Sequence, residues 1–148
     1  RRSEGPPLAA LLGSNSYQDQ VFGVYGGTRP TQAAISGLAG LRGYDRSSLK
    51  TCLIRYALTG WTGRVPAVCH DMILAVPIDY GPYLWGWPHL FTQRMKAVGT
   101  SVILLGPYDG TGFSSGVDDL EILERVPPNF DGHIWTNRIE LIGPARNR

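Results

Sequence analysis

The sequence has no apolar run that approaches the roughly 20 residues of a membrane-spanning helix, so it predicts no membrane span. An excess of one charge is also lacking, since the formal net charge is +2 across 148 residues and the basic residues are scattered. So small an excess does not favour a nucleic-acid partner. Charged residues make up 18% and hydrophobic residues 43%, which predicts a globular chain with one hydrophobic core.

Cysteine is scarce as well, with only Cys52 and Cys69. Their spacing matches no zinc site, and one pair does not imply a disulfide-rich scaffold. The two residues could form a single disulfide, but free cysteine is commonly buried in folded proteins. The sequence therefore favours two ordinary buried thiols.

The first residues, Arg1 to Glu4, lack an initiator methionine and the pattern of a signal peptide. This start predicts a processed product or a fragment of a longer protein. The expected setting is a soluble protein of either the cytoplasm or the periplasm.

Five short apolar segments rich in β-branched or aromatic residues predict strands. They occupy residues 21–26, 41–45, 72–79, 101–106 and 133–137. The third and fourth are almost continuously apolar, which is typical of parallel strands that are covered on both faces.

Segments with helical periodicity alternate with these strands, at residues 31–38, 47–58, 88–98 and 118–126, and residues 139–142 predict a last turn. Pro30 suits a first helical position. A serine is the candidate cap of the second helix, and Gly60 and Gly99 mark the ends of the second and third.

The alternation, at spacings of about 20 to 30 residues, matches the length of a βα unit. Right-handed crossovers make consecutive strands parallel. The predicted fold class is α/β, a parallel β/α barrel of the TIM type that is incomplete, in a single domain over residues 1–148. A whole barrel needs roughly 250 residues, so the chain would supply its last four or five βα units. An open doubly wound sheet is the alternative, although no Gly-rich phosphate loop follows a strand.

The carboxyl ends of the strands are where parallel α/β folds bind ligands. The side chains expected there include carboxylates, arginines, an amide and aromatic rings. Such a mixture suits an anionic, hydroxylated small molecule, because arginine matches phosphate geometry. The candidate substrate-binding residues are Arg29, Asp45, Asp79, Trp85, Tyr108, Asn137 and Arg138. A purely structural role stays open for each, since Asp and Asn are also common turn residues.

Residues 80–89 carry four aromatic rings in the loop after the third strand. Aromatic side chains in such a loop either line a pocket or pack the loop onto the fold, and both interpretations stay open. The three histidines, His70, His89 and His133, lie far apart and lack the spacing of a zinc protease, so structural roles are favoured for them.

Residues 112–116 match the GxSxG pattern, with Ser114 at the centre. A nucleophile elbow requires the serine directly after a strand, whereas Ser114 lies within a Gly/Ser-rich loop. Asp131 and His133 would complete a triad in chain order, but they lie at the start of a strand and so belong to the opposite edge of the sheet. A serine hydrolase is therefore the remote alternative.

The last third of the chain resembles the closing segments of the glycerophosphodiester phosphodiesterase family. The matching segments are residues 95–103, the acidic segment 118–121 and residues 131–140. Within the last of these, Thr136-Asn137-Arg138 and Glu140 resemble the family's final strand, which reads roughly Gly-Ile-x-Thr-(Asp/Asn)-Arg-Pro-(Asp/Glu). Ile139 stands where the family usually has proline, and residues 104–109 replace its Trp-Thr pair. Upstream segments fit less specifically.

The resemblance implies metal-assisted hydrolysis of a phosphodiester to an alcohol and glycerol phosphate, with Mg²⁺ or Ca²⁺ as the cofactor of the intact enzyme. The family's catalytic histidines and metal-binding carboxylates come from early strands, whose motifs have no counterpart here. No catalytic residue and no metal ligand is therefore carried over to this chain. It would contribute pocket walls, through Arg29, Trp85, Tyr108 and Arg138, and barrel closure.

Three hypotheses follow from the sequence. The first is a phosphodiesterase barrel represented by its C-terminal part, inactive alone and binding a small phosphodiester. The second is a non-catalytic, barrel-derived binding domain, and the third is the serine hydrolase. A half-barrel would leave two open sheet edges, so self-association through those edges is also expected.

Overall fold

A computed structural model describes residues 10, 23–26, 28–37, 42–110 and 115–146 of the chain. In these ranges strands and helices alternate as βα units. The strands are β1 (Val24–Gly26), β2 (Gly43–Asp45), β3 (Ile73–Pro77), β4 (Ser101–Leu105) and β5 (His133–Ile134). The helices are α1 (Thr28–Gly37), α2 (Arg46–Thr59), α3 (His89–Ala97), α4 (Leu120–Glu124) and α5 (Ile139–Arg146). Three single 3₁₀ turns occupy Gly60–Thr62, Ala67–Cys69 and Gly81–Tyr83.

The described strands form two small parallel sheets, and the predicted parallel arrangement is confirmed within each. β1 pairs with β2, and a second sheet has the order β3-β4-β5. β2 also contacts β3. Neighbouring strands thus follow chain order, as right-handed βα crossovers produce. The chain is a mixed α/β structure with a three-stranded parallel sheet, while closure into a TIM-type barrel stays a prediction.

The hydrophobic core lies around β3 and β4. All five residues of β3 are buried, as are the three central residues of β4. Tyr56 of α2 packs edge-on against Phe91 of α3, with ring centroids 5.2 Å apart. Both rings belong to one buried cluster with Leu74, Val76 and Leu104 of the strands, so α2 and α3 pack on this sheet, and its buried strands are almost continuously apolar.

Helix α2 begins at a different cap from the one predicted. The Asp45 carboxylate, rather than a serine, accepts hydrogen bonds from the backbone N–H groups of Ser47 (2.9 Å) and Ser48 (3.2 Å). It satisfies two of the free N–H groups of the first turn, which is the ordinary function of an N-cap aspartate. At the other end Gly60 keeps right-handed backbone angles, and Gly63, with φ of 83°, makes the left-handed turn.

The prediction of two free thiols is wrong, because Cys52 and Cys69 form a disulfide with a Cα–Cα distance of 5.1 Å. It joins the middle of α2 to the 3₁₀ turn that precedes β3. Both cysteines are fully buried. The spacing of 17 residues predicts no pairing, because the intervening segment folds back through 3₁₀ turns.

The predicted strand and helix boundaries shift most near the C-terminus. Of the predicted strand 133–137, β5 covers His133–Ile134, and the Trp135 N–H still donates to the Leu104 carbonyl (2.9 Å) before Thr136 and Asn137 bond the Asp118 side chain. Helix α4 is shorter than predicted and is capped by Asp119, whereas α5 is longer than the single predicted turn. Residues 21, 22, 38 and 41 of the predicted elements lie outside the described residues.

Candidate functional site

The register of the three-stranded sheet brings the ends of β3, β4 and β5 to one edge. Pro77 pairs with Leu105, and Leu104 pairs with Ile134. The residues that follow these strands therefore lie on the same side of the sheet, as predicted from parallel pairing. We call this side the strand-end edge.

Asp79 is held by both neighbouring segments at this edge. One carboxylate oxygen accepts a hydrogen bond from the Tyr108 backbone N–H (3.1 Å), and the other pairs with the Arg125 guanidinium (2.5 Å). The rings of Tyr80 and Tyr108 lie with their centroids 5.8 Å apart. Both tyrosines are about two-fifths exposed, at 41%. The arrangement presents two phenols and one cation beside a fixed carboxylate.

A second group at the same edge is the turn formed by Thr136, Asn137 and Arg138, which we call the 136–138 turn. The Asp118 carboxylate accepts hydrogen bonds from the Asn137 backbone N–H (2.6 Å), the Asn137 side-chain amide (3.0 Å) and the Thr136 hydroxyl (3.2 Å). The Thr136 hydroxyl in turn accepts from the Arg138 N–H (2.9 Å). One carboxylate thus fixes the backbone direction that Arg138 follows.

The protonation of Asp118 reflects these contacts. Burial alone raises the pKa of this carboxyl group, but the hydrogen bonds from Asn137, Thr136 and Gly116 favour the ionised form more strongly. The net result is a pKa below the ordinary value of 3.8. Asp118 is therefore ionised near neutral pH and acts as an acceptor, not as an acid.

Arg138 forms an ion pair with Glu140, with 2.7 Å between Nε and the carboxylate. The hydrogen bond and charge of Glu140 raise the pKa of Arg138, and the same hydrogen bond lowers the pKa of Glu140. The Arg138 side chain remains more than half exposed, at 56%. An anionic ligand can therefore reach this guanidinium, in competition with one surface carboxylate.

The other predicted site residues, Asp45, Trp85 and Arg29, either make structural contacts or have side chains outside the described part of the chain. Asp45 is buried at the start of α2 as its cap. Trp85 reaches away from the strand ends, since its indole N–H donates to the Ala57 carbonyl of α2 (2.8 Å). Arg29 belongs to the first turn of α1, and its side chain is outside the described part of the chain. Asp79, Tyr108, Asn137 and Arg138 thus follow strands that end at one edge, whereas Asp45, at the end of β2, is engaged as a helix cap and Trp85 is hydrogen-bonded to α2.

The aromatic loop 80–88 packs on the helical layer while leaving one side open. Trp87 contacts Phe91 and Phe130, with centroid distances of 5.5 and 5.6 Å. Residues 82–87 border an open depression of about 480 Å³. The two interpretations of this loop therefore apply to different residues: Trp87 packs inward, whereas Tyr83 and Trp85 are exposed.

Two residues of the edge were not predicted as site residues. Asp118 carried only the sequence signal of an acidic helix start, yet it is Asp119 that caps α4. Arg125 follows α4 and had no signal, because its partner Asp79 is 46 residues away. Their roles depend on tertiary contacts, which local patterns do not report.

The metal implied by the resemblance does not fit this part of the chain. Among the described residues, no three His, Cys, Asp or Glu side chains are placed to hold a metal ion. The carboxylates of the strand-end edge are engaged by Arg125 and by the 136–138 turn instead. No chemical step through a metal is therefore assigned to these residues.

Of the candidate triad Ser114, Asp131 and His133, the structure describes the last two residues. Ser114 lies outside the described residues. Asp131 pairs with Lys96, and His133 begins β5, at the end of the strand remote from the strand-end edge.

None of the described helices is long and apolar enough to cross a membrane.

Comparison with protein-family models, curated proteins and solved structures found no match for the chain.

Proposed function

We propose that the chain is the C-terminal part of a phosphodiesterase-like α/β barrel and forms one wall of its binding site for a glycerophosphodiester. The observation that carries this proposal is the 136–138 turn, held by Asp118 at the end of a parallel strand. It lies at the same edge as Asp79 and Tyr108. The same three residues carry the resemblance to the final strand of the phosphodiesterase family.

The proposed roles follow from the chemistry of each side chain. The planar guanidinium of Arg138 can donate two parallel hydrogen bonds to a phosphate, for which it would exchange Glu140. The exposed tyrosines Tyr80 and Tyr108 can pack against the glycerol carbons and donate their phenolic hydrogens. These residues would bind and orient the substrate, while proton transfer and phosphoryl polarisation would fall to groups on the early strands of the barrel, whose motifs have no counterpart in this chain.

The parent reaction would be hydrolysis of the phosphodiester to an alcohol and glycerol phosphate. We expect this chain by itself to show no turnover of a glycerophosphodiester in the presence of Mg²⁺ or Ca²⁺. We expect a version extended at its N-terminus by the early strands to be active, with activity lost on adding a chelator. Chelator-sensitive turnover by the present chain would contradict our placement of the catalytic groups.

Binding of glycerol 3-phosphate tests whether the strand-end edge forms part of a binding site. Titration with glycerol 3-phosphate, followed by backbone amide chemical shifts, should perturb residues 136–138 and Tyr108. Arg138→Ala should weaken binding by about tenfold, as expected for loss of a charge-assisted hydrogen bond. Lys96→Ala is the matched control, because it removes an equal charge that pairs with Asp131, remote from this edge. Equal weakening by both variants would refute a specific role for Arg138.

A non-catalytic binding domain is the second candidate. It is favoured by one observation, namely that Asp79 pairs with Arg125 and Arg138 pairs with Glu140, so these charged side chains of the edge are engaged as ion-pair partners within the chain. In that case glycerol 3-phosphate binding would depend on Arg138, but the extended version would remain inactive. Binding and turnover measured on the same two versions therefore separate the candidates.

A further inference from the structure

The outer face of α2 carries apolar side chains that point away from the core. Ile54, Leu58 and Trp61 are exposed at 47%, 69% and 68%. Their spacing of four and three residues places them along one side of the helix and its terminal turn. We call these three residues the outer stripe. Because Cys52 and Tyr56 of the same helix are buried, α2 presents apolar residues on two opposite faces.

Positive charge surrounds the outer stripe. Residues 46–70 contain Arg46, Lys50, Arg55 and Arg64 and no aspartate or glutamate. Arg46 and Lys50 continue the line of Ile54 and Leu58 toward the start of α2, at intervals of four residues. The segment is therefore cationic and apolar together, although the whole chain has a net charge of only +2.

Two of these arginines border one depression beside the stripe. Arg55 and Arg64 line an open hollow of about 600 Å³ together with Thr59, Thr62, Val65 and Pro66. In the part of the chain that the structure describes, neither guanidinium forms an ion pair with a carboxylate. This contrasts with Arg125 and Arg138, each of which pairs with a carboxylate. The hollow thus offers two unpaired cations with an apolar border.

The aromatic loop extends this surface. Trp85 is tied to the Ala57 carbonyl on α2 and is 49% exposed, and Tyr83 is 76% exposed. Residues 80–88 contain no charged side chain. Tryptophan and tyrosine combine an apolar ring with one polar group, and for this reason they are enriched at membrane–water interfaces.

We propose that the outer face of α2, with its outer stripe and the Arg55–Arg64 hollow, docks on an anionic phospholipid surface. The arginines would take headgroup phosphates, and Leu58 and Trp61 would enter the interfacial region. Stable peripheral binding commonly combines an apolar insertion with basic residues, and both are present here. A soluble phosphate would leave the outer stripe in water, whereas a lipid surface would cover the stripe and bind the arginines together. The proposal concerns a different face from the strand-end edge and does not depend on the phosphodiesterase assignment.

Vesicle co-sedimentation tests the proposal. The chain should bind vesicles of 70% phosphatidylcholine and 30% phosphatidylserine, and binding to pure phosphatidylcholine should be much weaker. Binding should also fall at 1 M salt, because charge interactions are then screened. Replacing Arg55 and Arg64 with Gln should lower the partition coefficient roughly fivefold for each arginine.

A second set of variants tests the contribution of the apolar outer stripe to vesicle binding. Leu58→Ser with Trp61→Ser should abolish the salt-resistant part of binding, whereas Leu120→Ser, at an exposed leucine of α4, and Lys96→Gln, at the partner of Asp131, should leave binding unchanged. Thermal melts of each variant check that it is folded. Equal binding to neutral and anionic vesicles, no binding at all, or no effect of the α2 variants would overturn the proposal.

Two further readouts identify other occupants. Displacement from vesicles by millimolar inorganic phosphate would reassign the hollow to a soluble anion and overturn docking on lipid. Light scattering that shows self-association lost on Leu58→Ser would assign the outer stripe to a second copy of the chain and would likewise overturn it. The expected result is that phosphate does not displace the chain from vesicles and that Leu58→Ser leaves its oligomeric state unchanged.

Discussion

The strand-end edge and the outer face of α2 both expose arginine and aromatic side chains, but these side chains differ in their partners. At the strand-end edge, Arg125 and Arg138 pair with Asp79 and Glu140, and Asp118 organises the neighbouring turn. On α2, Arg55 and Arg64 have no carboxylate partner among the described residues. Paired groups hold a fixed geometry for a small ligand, whereas unpaired cations beside exposed apolar side chains suit a large anionic surface.

Two leucines, one in the core and one in the outer stripe, should differ most in their effect on stability. Leu74, in β3, is fully buried, whereas Leu58 is 69% exposed. Leu74→Ala should lower the free energy of unfolding by about 2–5 kcal/mol, because it leaves a cavity in the core. Leu58→Ala should change it by less than about 0.5 kcal/mol. Urea denaturation of both variants measures the difference, and similar losses would mean that the outer stripe is packed against something in solution.

Reduction of the disulfide should have the next largest effect. Cys52 and Cys69 are 17 residues apart. A disulfide that closes a loop of about that length stabilises a protein by about 3 kcal/mol, because it lowers the conformational entropy of the unfolded chain. The melting temperature should therefore fall when dithiothreitol is added. The Cys52→Ala, Cys69→Ala double variant is the control and should not respond to the reductant. An unchanged melting temperature of the parent chain would contradict the bond.

The 136–138 turn should show a smaller, pH-dependent effect. Asp118→Asn should cost about 1–2 kcal/mol, the lower range for hydrogen bonds to a charged group, since the residue is partly exposed. The folded-state pKa of Asp118 is lowered, so its contribution is complete above the unfolded-state value near 3.8. It is lost as pH falls from there through the lowered folded-state pKa. Stability curves between pH 2 and 7 should converge for the two proteins at the acidic end, and parallel curves would contradict this role.

The smallest effect is expected for the surface pair of Arg125 and Asp79. Their side chains are 48% and 37% exposed, so Arg125→Ala should cost about 0.2–1 kcal/mol. The loss should diminish further at high salt. Arg55→Ala, which removes an unpaired arginine, should cost nothing measurable. Chemical denaturation at low and high salt compares the two, and a larger cost for Arg55 would reverse the comparison.

The sequence predicted the elements whose signal is local. Strands β3 and β4 follow from their apolar runs, and the end of α3 follows from Gly99, whose φ of 75° lies in the left-handed region. Asp45 is among the predicted site residues, yet an aspartate two and three residues before Ser47 and Ser48 also fits a helix cap. In the structure Asp45 is the N-cap of α2, a role that depends only on neighbouring residues.

The candidate site was predictable only in part. Asp79, Tyr108, Asn137 and Arg138 could be placed together because parallel strands end at one edge. The partners that hold them could not, since Asp118 and Asn137 are 19 residues apart and Asp79 and Arg125 are 46 apart. These pairings depend on how loops fold over the sheet, which no periodic pattern encodes. The disulfide was missed for the same reason.

The bond between Cys52 and Cys69 has a consequence for limited proteolysis. It spans the exposed residue Arg64, which trypsin can cleave before Val65. A chain cut there stays covalently joined and migrates as one band on a non-reducing gel. Only a reducing gel would separate its two pieces, so a nicked preparation can pass for an intact one. Arg64 also lines the hollow beside the outer stripe, and protection of this cut by anionic vesicles would therefore report directly on docking of α2.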